Sequence, residues 1–154
     1  MAIEDDIAFF ERVPTLGLLG RAALRILAIG AENRYVHSGE VLFTVGEPAD
    51  CGYVVQEGSF SLGSALIEDT PRITVGRGTL LGELALLTET VRPVTATALE
   101  PSTVLRIPRT LFLKMLEGYP DAATRLRDAL AKRTASAARD ISNVRAGLDL
   151  REQK

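Results

Sequence analysis

The 154-residue sequence predicts an α+β fold, in which a β-sandwich or barrel is flanked by N-terminal helices and a C-terminal helical pair. Apolar residues recur at helical spacing only near the two ends of the chain. Between them, residues 33–107 carry short β-prone runs separated by Gly, Pro, Asp and Asn. We therefore predict a single domain over residues 1–154, with a β-domain over about 31–107 and C-terminal helices over about 108–147.

Composition limits the classes of function. Hydrophobic residues make up 46% of the chain and charged residues 25%, an ordinary balance for a globular domain. A net charge of −2 gives no general attraction to nucleic acid or to an anionic membrane, and no apolar run is long enough to span one. The single Cys51 excludes an internal disulfide and fits a reducing cytoplasm. With His37 as the lone histidine, we expect neither a zinc site nor catalysis.

The N-terminal region predicts two helices. Residues 4–12 form an amphipathic segment with acidic residues in its first turn, and Pro14 interrupts it. Residues 18–29 again place apolar side chains at helical spacing, and Gly30 is a helix stop signal.

The middle of the chain predicts seven strands bounded by turn residues. We place them near 33–37, 41–44, 53–56, 59–66, 72–76, 94–99 and 102–107.

The helical pattern returns after Pro108. Residues 109–116 predict one helix, and Pro120 suits the first turn of a second that continues to about 146. Apolar and small residues at alternating spacings of four and three run from Leu130 to Leu148. This seam predicts either a homodimer or a lid that folds onto the β-domain.

One stretch carries a candidate site. Gly78 and Gly82 precede a predicted helical turn, Glu83–Leu87, and Arg92 follows Glu83 by nine residues. A turn of helix beside a glycine, with an arginine folding back onto it, is typical of a small anion site. The pattern alone indicates phosphate only weakly.

The same stretch resembles the phosphate-binding cassette of the cyclic nucleotide-binding domain family. That family includes the regulatory subunit of protein kinase A and the catabolite activator protein. The resemblance rests on residues 82–86, Arg92 and Thr95, and on three earlier blocks at 38–43, 45–50 and 53–58. It covers about residues 8–146 and implies a jelly-roll β-sandwich whose ligand is a cyclic nucleotide, with cAMP expected.

The resemblance implies a role for each cassette residue. Arg92 takes the place of the phosphate-binding arginine, and Glu83 that of the glutamate that accepts from the ribose 2′-hydroxyl. The backbone amides of Gly82 and Ala85 are the expected phosphate donors. The alternatives are that Arg92 is a solvated loop arginine without another partner, and that Glu83 caps local N–H groups.

Four further residues complete the predicted site. Leu84 resembles the residue that moves when the cassette closes, and Val75 would face the base; for both, ordinary core packing is the alternative. Val94 and Thr95 continue the cassette segment into the next strand.

Pro93 departs from the family pattern. The family commonly has Ala, Ser or Thr after the arginine, with an amide that donates to the phosphate, whereas proline has no N–H. Pro93 also lacks the hydroxyl that contacts guanine in members preferring cGMP. The sequence therefore favours a stand-alone cAMP sensor that acts on an unknown effector through its C-terminal helices. The alternative is an interaction or dimerisation module that has lost cyclic nucleotide binding.

Overall fold

The computed structural model describes residues 3–63 and 72–133, which form helices at both ends and antiparallel strands between them. The helices are α1 Ile3–Glu11, α2 Arg21–Gly30, α3 Arg109–Gly118 and α4, which covers 120–133, with short 3-10 helices at Leu16–Leu18 and Leu84–Leu86. The strands are β1 Glu32–Val36, β2 Val41–Phe43, β3 Pro48–Ala49, β4 Cys51–Glu57, β5 Phe60–Gly63, β6 Ile73–Val75, β7 Leu80–Leu81, β8 Thr90–Val91, β9 Thr95–Ala98 and β10 Ser102–Pro108. The predicted α+β class and flanking helices are confirmed.

The strands form two four-stranded antiparallel sheets and a short ribbon. One sheet has the order β1-β10-β4-β7, the other has the order β2-β9-β5-β6, and β3 pairs with β8. Strands distant in sequence are therefore neighbours, as when β10 lies between β1 and β4. These crossing connections bring the loops around residues 46–50 and 82–93 together.

Two hydrophobic cores lie on opposite faces of the first sheet. Along β4, Tyr53 and Val55 point into the sandwich while Val54 points toward the helices, because side chains alternate across a strand. The core of the sandwich contains Val36, Leu42, Phe43, Cys51, Tyr53, Val55, Phe60, Leu81, Ala96, Ala98 and Val104.

The second core joins the helices to the first sheet. Leu105 and Ile107 of β10 and Val54 of β4 meet apolar residues of α1, α2, α3 and α4. Its largest helical members are Phe10, Leu24, Leu27, Phe112 and Met115, all fully buried. Helix α2 ends at Gly30, where a Cβ would lie only 2.7 Å from the Leu111 side chain, so the glycine permits close packing against α3.

The structure also shows where the predictions missed. The seven predicted strands are present, but the two-residue strands β3, β7 and β8 were not predicted. Residues 64–66 of the fourth predicted run, 59–66, lie outside the described residues, as do the predicted helix beyond 133 and most of the Leu130–Leu148 seam. Within residues 3–63 and 72–133, no helix is both long and apolar enough to cross a membrane.

Candidate functional site

The predicted cassette segment, residues 82–95, begins with a single turn of 3-10 helix that lies on β4. Glu83 is the residue before this helix, and Leu86 packs directly against Gly52, where a Cβ would be 3.0 Å from Leu86 Cγ. Gly52 thus allows the short helix to approach the sheet closely.

Arg109, the first residue of α3, ties the cassette to its surroundings. Its Nη1 donates to the carbonyl oxygens of Ala49 at 3.0 Å, Ala85 at 3.2 Å and Thr88 at 2.8 Å. Its backbone N–H donates to Asp50 O at 2.8 Å. One guanidinium group therefore joins β3, the 3-10 helix and α3, a role that the sequence pattern did not reveal.

A cavity of about 210 Å³ lies inside the cassette segment. It brings together six of the predicted site residues, and its lining consists of Ala49, Gly82, Glu83, Leu84, Ala85, Thr90, Val91, Arg92 and Pro93. Ala49, Thr90 and Val91, which belong to the ribbon β3-β8, were not predicted to take part.

Arg92 is a buried residue, so the interpretation as a solvated loop arginine is wrong. Only 4% of it is exposed. Its backbone is fixed by two bonds of 2.8 Å, from Gly46 N to Arg92 O and from Arg92 N to Glu47 O.

The side chain of Arg92 has partners, so the expectation that it lacks them is also wrong. Nη2 donates to Cys51 Sγ at 3.3 Å, and the guanidinium carbon lies 4.5 Å and 5.5 Å from the ring centres of Phe43 and Tyr53.

The other guanidinium nitrogen of Arg92 has no hydrogen-bond partner. Among the described residues, Nη1 is the buried side-chain polar atom left unpaired, and no carboxylate there forms an ion pair with Arg92. The two rings and the thiol compensate only part of the desolvation of a cation, since each such contact contributes about 0.5–2 kcal/mol. An isolated buried charge costs several kcal/mol unless it is paired. A buried, unpaired cationic donor therefore lies beside the cavity, and an anionic acceptor is the kind of group that would satisfy it.

The rings beneath the guanidinium are uncharged. Burial raises the pKa of the Tyr53 phenol above its ordinary value of 10.0, and the neighbouring Cys51 thiol raises it further against the opposing effect of Arg34 and Arg92. Tyr53 thus stays neutral at physiological pH and offers Arg92 its ring face rather than a counter-charge.

Glu83 does not cap the short helix, so that interpretation is wrong: its side chain makes no capping hydrogen bond. Its Oε2 accepts from Thr15 Oγ1 at 3.0 Å, and its Oε1 accepts from Arg133 Nη2 at 2.5 Å. Thr15 has a φ of 76°, the one non-glycine residue with positive φ among residues 3–63 and 72–133. Such a backbone costs about 1–3 kcal/mol and persists only where the surroundings hold it.

The backbone groups of the cassette are partly occupied. The Ala85 N–H, an expected phosphate donor, donates to Gly82 O at 3.1 Å within the 3-10 turn. Leu84 is 58% exposed, so it does not pack in the core. Pro93 is exposed at the rim of the cavity.

The remaining predicted residues lie away from this cavity's lining. Val94 and Val75 are half-buried against the core of the sandwich, and Val75 lies opposite Phe60 in the ladder between β5 and β6. Thr95 Oγ1 accepts from Val45 N at 2.9 Å, which joins the end of the cassette to the turn that follows β2.

Two surface grooves are larger than this cavity but offer a ligand fewer buried polar groups. One, of about 630 Å³, is lined by Asp5, Phe9, Arg12 and Arg77 among others, and the other, of about 610 Å³, includes Asp50, Glu89 and Arg109. Neither groove contains a buried polar atom that lacks a partner in the described part of the chain. No group of three or more His, Cys, Asp or Glu residues is placed there to bind a metal ion.

Comparison with known proteins agrees with this geometry. A lysophospholipase of Pyricularia oryzae is 31% identical over 113 residues, which are 70% of this chain and 7% of that protein. The chain thus spans less than a tenth of the length of the fungal lysophospholipases that it matches. A cyclic nucleotide-binding-like protein from Brucella abortus is 37% identical, with a TM-score of 0.64 over 73% of this chain and 98% of that one.

A more distant structure shares the fold. The regulatory domain of Toxoplasma gondii protein kinase A, solved with cAMP, is 22% identical, with a TM-score of 0.68 over 87% of this chain and 50% of that one. The sequence also matches the cyclic nucleotide-binding domain family over residues 33–119, which span both sheets, the cassette and α3. The chain belongs to the cyclic nucleotide-binding domain family.

Proposed function

We propose that this chain is a cyclic-nucleotide sensor module that prefers cAMP to cGMP and signals, without catalysis, through re-packing of its C-terminal helices. One observation carries the proposal: Arg92 is buried, has no carboxylate partner among the described residues, and leaves Nη1 unpaired. A bound phosphate would supply both the missing counter-charge and the missing acceptor.

The cassette residues would act together on the ligand. Arg92 would pair with the cyclic phosphate, and Glu83 would accept from the ribose 2′-hydroxyl, as the family resemblance implies. The N–H groups of Gly82 and Ala85 would be further phosphate donors, and the latter would first have to leave Gly82 O. Val94, Thr95 and Val75 would support the pocket from the sandwich side.

Cavity size implies that the cassette moves on binding. At about 210 Å³ the cavity is smaller than the roughly 300–1,000 Å³ that is usual for small-molecule sites. This form would admit only part of a nucleotide. The exposed Leu84 lies at the edge that would have to move.

Pro93 is the residue that would favour cAMP over cGMP. It lies at the rim of the cavity and has no hydroxyl for a guanine contact. Its missing N–H would weaken binding of either ligand, by about 1–3 kcal/mol for one lost donor.

The second candidate is an interaction or dimerisation module on the same fold without cyclic nucleotide binding. Two observations favour it: Pro93 removes one expected phosphate donor, and the Ala85 N–H is already satisfied. The C-terminal seam would then be the interacting surface, with a second copy or another protein as its partner.

We propose that the module works in the cytoplasm, as a single domain over 1–154 that contacts neither nucleic acid nor membrane and acts on an effector protein. Lysophospholipase activity belongs to the much longer relative, of which this chain resembles only a small part.

Titration calorimetry with cAMP, cGMP and 5′-AMP tests the proposal. We expect cAMP to bind more tightly than cGMP, and 5′-AMP to bind most weakly because its extra negative charge and open phosphate do not match one guanidinium. Absence of heat with all three nucleotides, together with self-association in sedimentation, would favour the interaction module instead.

A further inference from the structure

Three distant segments of the chain meet at the carboxylate of Glu83. Thr15 precedes the first 3-10 helix, Glu83 opens the cassette, and Arg133 lies on α4. Thr15 Oγ1 and Arg133 Nη2 donate to separate oxygens of Glu83, at 3.0 Å and 2.5 Å, and Arg133 Nη2 also lies 3.5 Å from Thr15 Oγ1. Glu83 itself lines the cassette cavity.

We propose that this cluster is a latch that the ligand opens. In the ligand-free protein, Arg133 and Thr15 hold Glu83 and thereby fix α4 against the cassette. A ribose hydroxyl entering the cavity takes over Glu83 and releases Arg133. This inference rests on the proposed function, because it requires that Glu83 accepts from a bound nucleotide.

The competition follows from how the carboxylate is used. The carboxylate can accept about four hydrogen bonds, so a hydroxyl in the cavity can reach it beside the two present donors. The bonds from Thr15 and Arg133 fix how the side chain is turned, and we expect a turn toward the ribose to lengthen the bond to Arg133. Coupling between two binding events is reciprocal. The free energy that the Glu83–Arg133 bond contributes to holding α4 therefore opposes nucleotide binding.

The solvent exposure of the Glu83–Arg133 ion pair limits how much the latch can change nucleotide affinity. The side chains of Arg133 and Glu83 are 53% and 31% exposed, so water and salt weaken their attraction. We therefore expect the latch to lower nucleotide affinity by about two- to fivefold at low salt, and by less at high salt.

The test compares Arg133→Gln with Lys132→Gln. Both substitutions remove one positive charge from α4, but Lys132 lies about 100° away around the helix. We expect Arg133→Gln to bind cAMP about two- to fivefold more tightly than the parent protein, and Lys132→Gln to match the parent. Weaker binding by Arg133→Gln would mean that Arg133 supports the bound form. Equal binding by parent and both variants would show a surface ion pair without coupling. Either result overturns the latch.

Hydrogen exchange separates failure of the latch from failure of the proposed function. Without nucleotide, Glu83→Gln and Arg133→Gln should both speed amide exchange in residues 129–133 relative to Lys132→Gln. Saturating cAMP should speed the same amides in the parent and leave Arg133→Gln unchanged. If the parent binds no cyclic nucleotide, the function and its coupling to α4 are both rejected, while the ligand-free exchange still shows whether Glu83 holds the helix. Unaltered exchange in both variants rejects the latch even in a protein that binds cAMP.

Discussion

Gly82 lies directly against the guanidinium group of Arg92. A Cβ built on Gly82 would clash with Arg92 Nη1 and lie 3.1 Å from the carbonyl oxygen of Cys51. Its φ of +79° adds a conformation that other residues rarely adopt. The glycine at the start of the cassette therefore makes room for the buried arginine that defines the site.

This contact predicts that Gly82→Ala weakens nucleotide binding. The added methyl group would push the guanidinium out of position, and we expect cAMP affinity to fall at least tenfold, by about 1.4 kcal/mol or more. The matched control is Gly78→Ala, because Gly78 also has positive φ, +89°, but nothing within 4 Å of its Cβ position. Both variants should lose stability from backbone strain, and Gly82→Ala should lose more because of its added contacts, as measured by chemical denaturation. Equal cAMP affinity in the two variants would contradict the contact.

Replacing Arg92 with methionine should separate binding from stability. We expect Arg92→Met to lose about 2–5 kcal/mol of cAMP binding energy, because the phosphate loses its cationic partner. The ligand-free variant should be at least as stable as the parent, since a flexible apolar side chain fills the space between Phe43 and Tyr53 without a desolvated charge. Calorimetry and urea unfolding measure the two effects.

An exposed arginine supplies the control for this experiment. Arg12, which follows α1, is far from the cassette in sequence and lies in a surface groove. Arg12→Met should leave cAMP binding unchanged. A marked loss of folded stability in Arg92→Met alone would show that the cation stabilises the sandwich more than its burial costs.

Restoring an amide at position 93 should improve binding. Pro93→Ala returns the N–H that the family resemblance implies, and we expect cAMP binding to tighten by about 1–3 kcal/mol. The ligand-free protein should lose about 0.4–1 kcal/mol of stability, because the unfolded chain gains freedom. Pro93→Thr should behave similarly and also gain cGMP affinity. Pro101→Ala, outside the site, provides the control in the same titrations; if neither variant at 93 binds better than the parent, this position does not face the phosphate.

Tyr53 should make the protein sensitive to alkaline pH. Because its pKa is raised in the folded state, the unfolded chain loses the phenolic proton first, and its ordinary pKa is 10.0. The stabilising contribution is fully present below about pH 10 and is lost as the pH rises through the folded-state pKa. Tyr53→Phe keeps the ring beneath Arg92 and should flatten the fall in unfolding free energy as the pH rises above about 10. A fall as steep as the parent's in this variant would assign the effect to other groups.

The sequence allowed the long elements and the cassette to be predicted, and physical reasons explain the rest. Strands such as β4 and β10 have enough residues to show alternation, whereas β3 and β8 have two each and no detectable period. The burial of Arg92 depends on Phe43, Cys51 and Tyr53, which lie some 40 to 50 residues earlier in the chain. Local sequence pattern carries no information about contacts between such distant residues. The sequence alone therefore did not distinguish a buried Arg92 from a solvated one.

Glu83 illustrates the same limit. The motif drew attention to it, but its partners Thr15 and Arg133 are separated from it by 68 and 50 positions. Neither partner lies in a recognisable motif, and both become neighbours only because helices from the two ends of the chain pack on one sheet.

The hydrogen bonds of Arg109 have a mechanical consequence. Three carbonyl groups bonded to one nitrogen join the cassette to β3 and to the first turn of α3, so we expect these three segments to move together. Helical geometry is interrupted between α3 and α4 at Tyr119, which has φ −133° and ψ 77°. If the cassette shifts, we expect the angle between α3 and α4 to change at this residue.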